Sequence, residues 1–193
     1  MTQLKVRRIM TKTFSGKRQI REVIASMLIS EILNPREVWV VSAWVSNFDL
    51  LDNRSGAFEA LNPGWGHRML TFFEVLETVV DAGCNVNVVI KDHETNTSAL
   101  NEIRAKLATS HNLNLKLSEE LHAKGLLTKD ALLSGSMNFT YSGTNRNDEL
   151  MTLDRTEEAI ADAFREFTTA YPMDKPTAGY AEEPEEDDDE VFL

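Results

Sequence analysis

The side chains best suited to chemistry lie between positions 121 and 149. In Leu121-His-Ala-Lys-Gly-Leu-Leu-Thr128, His122 and Lys124 stand two residues apart. In a strand, residues two apart share a face. Ala123, Gly125 and Leu127 then share the other face, a small and apolar set suited to packing. Residues 131–138 have the same strand-like character, and there Ser136 and Asn138 share a face. The two predicted strands, 121–128 and 131–138, meet at a tight turn at Lys129-Asp130. If they pair, an imidazole, an ammonium, a hydroxyl and an amide converge on one patch. Such a patch suits a phosphodiester. The cation and neutral donors bind nonbridging oxygens, and the histidine attacks phosphorus or protonates a leaving oxygen. On spacing alone, a polar sheet face reads the same way.

The rest of the chain must position that hairpin. Lys5 to Thr11 suits a short edge strand. Ile20, Val23, Ile24, Met27, Leu28 and Ile32 recur at helical spacing, predicting a helix over 17–33 that Pro35 closes. Residues 37–45 (EVWVVSAWV) are β-branched and aromatic, as in a buried strand. Residues 46–67 read as a long polar loop with turn signals at Asp52-Asn53, Ser55-Gly56 and Asn62-Pro63-Gly64. A helix over 69–82 stopped by Gly83, a buried strand over 85–90, a helix over 98–109 and a strand over 113–117 follow. A last strand at 150–153 leads through Asp154-Arg-Thr-Glu157, which has the pattern of a capping box, into a helix burying Ile160, Ala163, Phe164 and Phe167. Strands separated by helices predict a single layered α/β domain over 1–173. Its sheet is expected to be mixed and largely parallel, flanked by helices, with one antiparallel hairpin near the motif. The change to Pro, Gly and acid predicts a disordered acidic tail over 174–193.

Three segments together resemble a known signature. His122-Ala-Lys124, then Gly135-Ser136-Met137-Asn138-Phe139-Thr140, then Asn147-Asp148-Glu149 look like the HxK…GSxN…E motif of the phospholipase D superfamily. Order and spacing are similar to those of its small, single-motif bacterial endonucleases, and the resemblance covers most of residues 17–170. It implies His122 as the nucleophile that forms a phosphohistidine, or as general acid. It implies Lys124 and Asn138 as phosphate ligands, with Ser136 supporting the same pocket. Glu149 matches the carboxylate that orients and polarises a histidine, and Asn147 lies beside it. The reaction needs two such histidines and this chain has one HxK element, so the resemblance implies a homodimer with the site across its two-fold axis. It implies no metal and no cofactor. One position departs: where the family places an aspartate, seven residues after the histidine, this chain has Lys129, and Asp130 follows. A shortened hairpin would let Asp130 serve the same structural purpose; the alternative is that the aspartate is lost, which motivates the reading of a binding subunit without turnover. A narrower resemblance, of VSAWVSNFDLLDNRSGAF and LNPGWGHR to the DpdK group, implies a role beside DNA-modification and restriction clusters in prokaryotic defence.

The readings that compete are a DNA nuclease, a nucleic-acid-binding subunit of a defence complex that has lost turnover, and a phospholipid transphosphatidylase. The last usually carries two motif copies in a longer chain, often with membrane segments. Here no apolar run approaches the roughly 18–20 residues that cross a bilayer, and the basic start lacks the apolar region of a secretory signal. Cys84 is expected to be a buried thiol. A cytoplasmic location is therefore expected. The net charge of -11 is uneven: eight acids crowd into 182–190, while the first 21 residues hold seven bases and no acid. Overall acidity therefore does not argue against nucleic acid. The basic start tracks phosphates or is simply solvated. The tail either solubilises or docks in a basic groove, its own or that of a protein partner. His67, His93 and His111 read as solvated, and Asp92-His93-Glu94 is not read as a metal site, because adjacent residues rarely converge on one ion. Trp39 and Trp44 read as packing residues. Trp65 reads as stacking on a base or packing over the cleft mouth. Arg54 and Arg68 read as ordinary surface arginines, or as contacts to a nucleic-acid backbone.

Overall fold

Strand β2 (Glu37–Ser42) organises the architecture, because its apolar side chains bury on both faces. In the computed structural model, which describes residues 5–107 and 110–173, Val38 and Val40 join one core while Trp39 and Val41 join a second. Strands β5 (Asn85–Lys91) and β6 (Leu113–Ser118) extend from β2 in parallel. On its other side lie β7 (Lys124–Leu127), β8 (Leu132–Gly135), β9 (Leu150–Asp154) and β1 (Val6–Met10), each antiparallel to its neighbour. The order across the seven-stranded sheet is β1-β9-β8-β7-β2-β5-β6.

The mixed α/β class is as expected, but the sheet is mainly antiparallel rather than largely parallel. Two of its six pairings are parallel. A parallel pair needs a crossover of a dozen or more residues, and the link between β7 and β8 is far too short for one. There Thr128 N–H donates to Ala131 O at 2.9 Å and closes a hairpin. The two strands are also shorter than expected, so His122 and Asn138 lie just beyond their ends.

Helices α1 (Phe14–Leu33), α2 (Phe72–Asp81) and α3 (Thr97–Leu107) pack over the Val38/Val40 face. Helix α5 (Glu157–Ala170) covers the opposite face through Ile160 and Ala163, with Phe164 and Phe167 partly buried. The helix expected over 69–82 starts late. Met69–Thr71 forms strand β4 and pairs with β3 (Asp49–Asp52), inside what reads as a loop. Thr71 then caps α2, accepting from Glu74 N–H while the Glu74 carboxylate accepts from Thr71 N–H. For α5 the cap is Thr156, which accepts from Ala159 N–H. A short helix, α4 (Tyr141–Asn145), follows the GSMN segment. Residues 108 and 109 of the expected third helix, and the whole acidic tail, lie outside the described residues. Among the described residues, no helix is long and apolar enough to cross a membrane. Cys84 is fully buried, and burial pushes its thiol up to about 11.

One buried charge ties the motif hairpin to this frame. Glu31 on α1 is fully buried and bonds Arg36 at 2.6 Å, while Arg36 reaches Asp130 at 2.5 Å in the β7–β8 turn. Burial raises the Glu31 pKa above the usual carboxylate range, against the opposing pull of Arg36. Arg36→Met leaves that carboxylate unpartnered. Because the Arg36 side chain is 25% exposed, the expected cost at neutral pH is about 2–4 kcal/mol, at or below that of a fully buried pair. A raised carboxyl pKa means the fold favours the protonated form, so this group's contribution is fully present below the unfolded value and lost as pH rises through the folded one. The penalty of Arg36→Met therefore shrinks as pH falls toward 4.5, the ordinary value. Urea midpoints at pH 7 and pH 5 check this, and an equal penalty at both would contradict it.

Candidate active site

His122 and Lys124 enter the site from the start of β7. In the register of β7 on β2, Lys124 faces Ser42 and Gly125 faces Val41. Gly125 turns toward α5, where any Cβ would lie 3.1 Å from Phe167 Cζ. A larger residue there would press on the Phe167 ring, which favours the small residue after Lys124. His122 is exposed and Lys124 half-buried. The Lys124 ammonium lies 3.3 Å from His122 Nδ1 and donates to the His122 carbonyl.

The second wall comes from the segment after β8. Gly135 has φ +157, and a Cβ there would sit 2.3 Å from Leu150 O, so only glycine fits this close approach to β9. Beyond it the side chains alternate. Met137 and Phe139 are fully buried, whereas Ser136 and Asn138 turn outward. Phe139 lies nearly parallel to Phe72, centroids 6.1 Å apart, which anchors the segment in the core.

Two buried hydroxyls that no local sequence pattern singles out hold these residues. Ser42, at the end of β2, donates to Trp44 O at 2.8 Å, accepts from Phe139 N–H at 3.2 Å and lies 3.3 Å from Asn138 Oδ1. Trp44 N–H donates to the same Asn138 oxygen at 3.2 Å. The amide oxygen is thereby occupied and the NH2 group is turned away from these partners, available to an acceptor. The available signal was weak: Ser42 is a polar residue closing an apolar strand. Thr11, fully buried after β1, accepts from Glu149 N–H at 2.8 Å and donates to Asn147 O at 3.0 Å, fixing the Asn147–Glu149 segment. Its buried contacts are 136 and more residues away in the chain, so no local pattern reveals them.

The structure gathers His122, Lys124, Ser136 and Asn138 around an open depression of about 300 Å³, which Ala123 and Gly135 complete. Glu149 adjoins it. Its two carboxylate oxygens accept from Ser136 Oγ at 2.5 Å and from Asn147 Nδ2 at 3.2 Å, so within one chain it is engaged with Ser136 and Asn147. Asp130 is not part of this cluster. It bonds Arg36 and lines a separate groove beneath α1, while Lys129 pairs with Glu37 at 3.1 Å and covers the Phe164 ring. Both turn residues therefore serve the frame and not the depression. Trp65 is buried and donates to Thr78 at 3.1 Å, which is the packing alternative. Arg54 and Arg68 pair with Asp52 and Glu74.

Known proteins share this fold. A sequence model of the family described as cardiolipin synthase, PLD-like domain, matches residues 68–171, a span that includes every residue lining the depression. Among curated proteins, none matches the chain. Among solved structures, NucT from Helicobacter pylori superposes with a TM-score of 0.60 at 14% identity, over 86% of this chain and 94% of that one. Nuc from Salmonella typhimurium, a phospholipase D family member, gives 0.56 at 15% identity, over 88% and 97%. Phosphatidylserine synthase from Haemophilus influenzae gives 0.55 at 11% identity, and the match spans only 40% of its chain. At such identities the likeness is one of fold, and it takes in nearly the whole of the two small proteins.

The depression presents an ammonium and an amide NH2 group, donors that suit an oxyanion. Desolvation lowers the Lys124 pKa, with the Glu149 charge opposing the shift. Orthophosphate should bind at neutral pH and be lost as pH rises through that lowered value, below the ordinary 10.5. Lys124→Met should bind weakly throughout. Calorimetric titration from neutral to alkaline pH tests this. A variant that binds as tightly as wild type would contradict it.

Proposed function

We propose that this chain, which belongs to the phospholipase D-like family, is a metal-independent phosphodiesterase that cleaves nucleic acid, most suitably DNA, at a site completed by a second copy of itself. The observation that carries the reading is the convergence of the Lys124 ammonium and the outward Asn138 amide beside exposed His122. The first two neutralise and grip nonbridging oxygens, and they strengthen as charge develops on them. A His122 ring nitrogen attacks phosphorus and forms a P–N bond as the P–O ester bond breaks. The departing oxygen takes a proton from the second copy's His122. That histidine then removes a proton from water, whose oxygen attacks phosphorus, breaks the P–N bond and frees His122.

A second copy is needed because each chain supplies one histidine of this kind. Exposed apolar side chains support a place for it. Met10 and Leu150 form a cross-strand pair next to Glu149, and they are 57% and 47% exposed. In the dimer we assign Glu149 the orienting role that the family carboxylate plays, toward whichever His122 lies against it. DNA restriction in the cytoplasm, as part of prokaryotic defence, is the setting that fits the DpdK-like segment. The non-cutting alternative drew on Lys129 in the aspartate position. That motive weakens, since both turn residues lie away from the depression.

Wild type should cleave plasmid or single-stranded DNA in EDTA, and His122→Ala should lose about a thousandfold or more in rate while keeping its circular dichroism spectrum. Loss of wild-type cleavage in EDTA, or undiminished cleavage by His122→Ala, would overturn the assignment. Salt-sensitive DNA binding without cleavage would favour the binding subunit. We assign the acidic tail to docking, in this cleft or on a protein partner. Deleting 181–193 should then raise DNA affinity or abolish a partner complex, and no change in either would remove that role.

A further inference from the structure

The end of β2 carries more than the support for Asn138. Trp44 lies two residues beyond the Ser42–Lys124 pair, where Val45 bridges Phe139 and ties this end of β2 to the Asn138 segment. Trp44 is only half-buried, whereas Trp39 and Trp65 are 2% and 3% exposed. Its backbone N–H holds Asn138, so this residue adjoins one wall of the depression.

Around that ring the chain has assembled a small cluster. His93 meets it edge-on, with centroids 5.1 Å apart at 83°. The Lys91 ammonium lies over the ring, 5.8 Å from its centroid, and among the described residues Lys91 has no ion-pair partner. Asp92 and Glu94 flank the cluster in sequence. Net charge there is therefore modest, and the ring is the larger element of recognition.

The cluster is rigid. Asn96, 1% exposed, donates from its NH2 group to Ala43 O and to Lys91 O, each at 2.8 Å. Its oxygen accepts from Val45 N–H at 3.2 Å. One buried amide thus stitches the ends of β2 and β5 together on either side of Trp44. His93 Nδ1 is held in turn by Thr95, at 3.0 Å from its hydroxyl and 3.2 Å from its N–H. This fully bonded buried amide fixes two strand ends and so holds the half-buried indole in place.

We infer that Trp44, with Lys91 and His93, forms a base-stacking subsite next to the phosphate site, which takes an unpaired nucleobase flanking the scissile phosphate. This rests on the nucleic-acid reading above and deepens it: the preferred substrate is single-stranded, because a base must leave its helix to stack on a protein ring. Lys91 serves the phosphate on the far side of that nucleotide.

The test measures binding, on the full chain with His122→Ala to prevent turnover. Two probes are used, a short oligodeoxythymidylate and an abasic phosphodiester of the same length and charge. The oligodeoxythymidylate should bind roughly five- to a hundredfold more tightly than the abasic strand and should quench the fluorescence of the one partly exposed tryptophan. Trp44→Ala should erase the difference between the probes, and Trp44→Phe should restore part of it. Lys91→Ala should weaken both probes alike. Equal affinity of the two probes for the His122→Ala protein would overturn the subsite and leave the nucleic-acid reading standing. Failure of both probes to bind would overturn the two together. Because that first comparison needs no change at Trp44, a poorly folded Trp44 variant does not blunt it.

Discussion

Everything at the site depends on one buried hydroxyl. Ser42 stops an apolar strand with a group that must be satisfied inside the protein, and its partners are the Trp44 carbonyl, the Phe139 amide and the Asn138 side chain. That requirement admits one placement of the segment after β8. The same placement sends Met137 and Phe139 inward, turns Asn138 outward and sets the mouth of the depression against Lys124. A polar atom in the core thus sets the geometry of ligands at the surface.

Around it the chain separates charges that hold the frame from those free to meet a substrate. Glu31, Arg36 and Asp130 satisfy one another beneath α1, and Lys129 is taken up by Glu37 and Phe164. Lys124 is left without an ion-pair partner among the described residues, partly desolvated, with Glu149 engaged nearby by Ser136 and Asn147. Partial desolvation makes an ammonium more responsive to an incoming phosphate than one solvated on the surface. The family's missing aspartate reads differently in this light. Asp130, next to the position where the resemblance places an aspartate, bonds the frame, and the depression keeps its polar side chains without it.

The motif and the helix faces were legible because they are local. His122 and Lys124, and Ser136 and Asn138, lie two residues apart, and a period of two is visible in any strand. Burial of Ile160 and Ala163 follows from short-range pattern in the same way, whereas the cap of α5 falls at Thr156, two residues after the start of the expected capping box. What was not legible is set by partners far along the chain. Thr11 and Glu149 meet across 138 residues, Ser42 and Phe139 across 97, and neither leaves a periodic trace. Strand direction differs for a related reason: alternation of strands and helices suggests parallel crossovers, but β7, β8 and β9 follow one another by return, and β1 pairs with β9 from the other end of the chain. Trp44, read as a packing residue of the first buried strand, is only half-buried because β2 ends two residues before it, at Ser42. Trp65, read as stacking or packing, is buried, and its partner Thr78 lies thirteen residues along the chain, where no local pattern reveals it.

The central claim is that His122 becomes covalently attached to phosphorus during turnover. The most direct measurement is acid-free rapid quenching of wild type during cleavage of a single-stranded oligonucleotide, followed by peptide mass spectrometry at neutral or alkaline pH, where a P–N bond survives. A nucleotidyl adduct on the peptide carrying His122, absent from His122→Ala, is the predicted result. Turnover with no adduct there, or with an adduct on His67, His93 or His111 instead, would contradict the account.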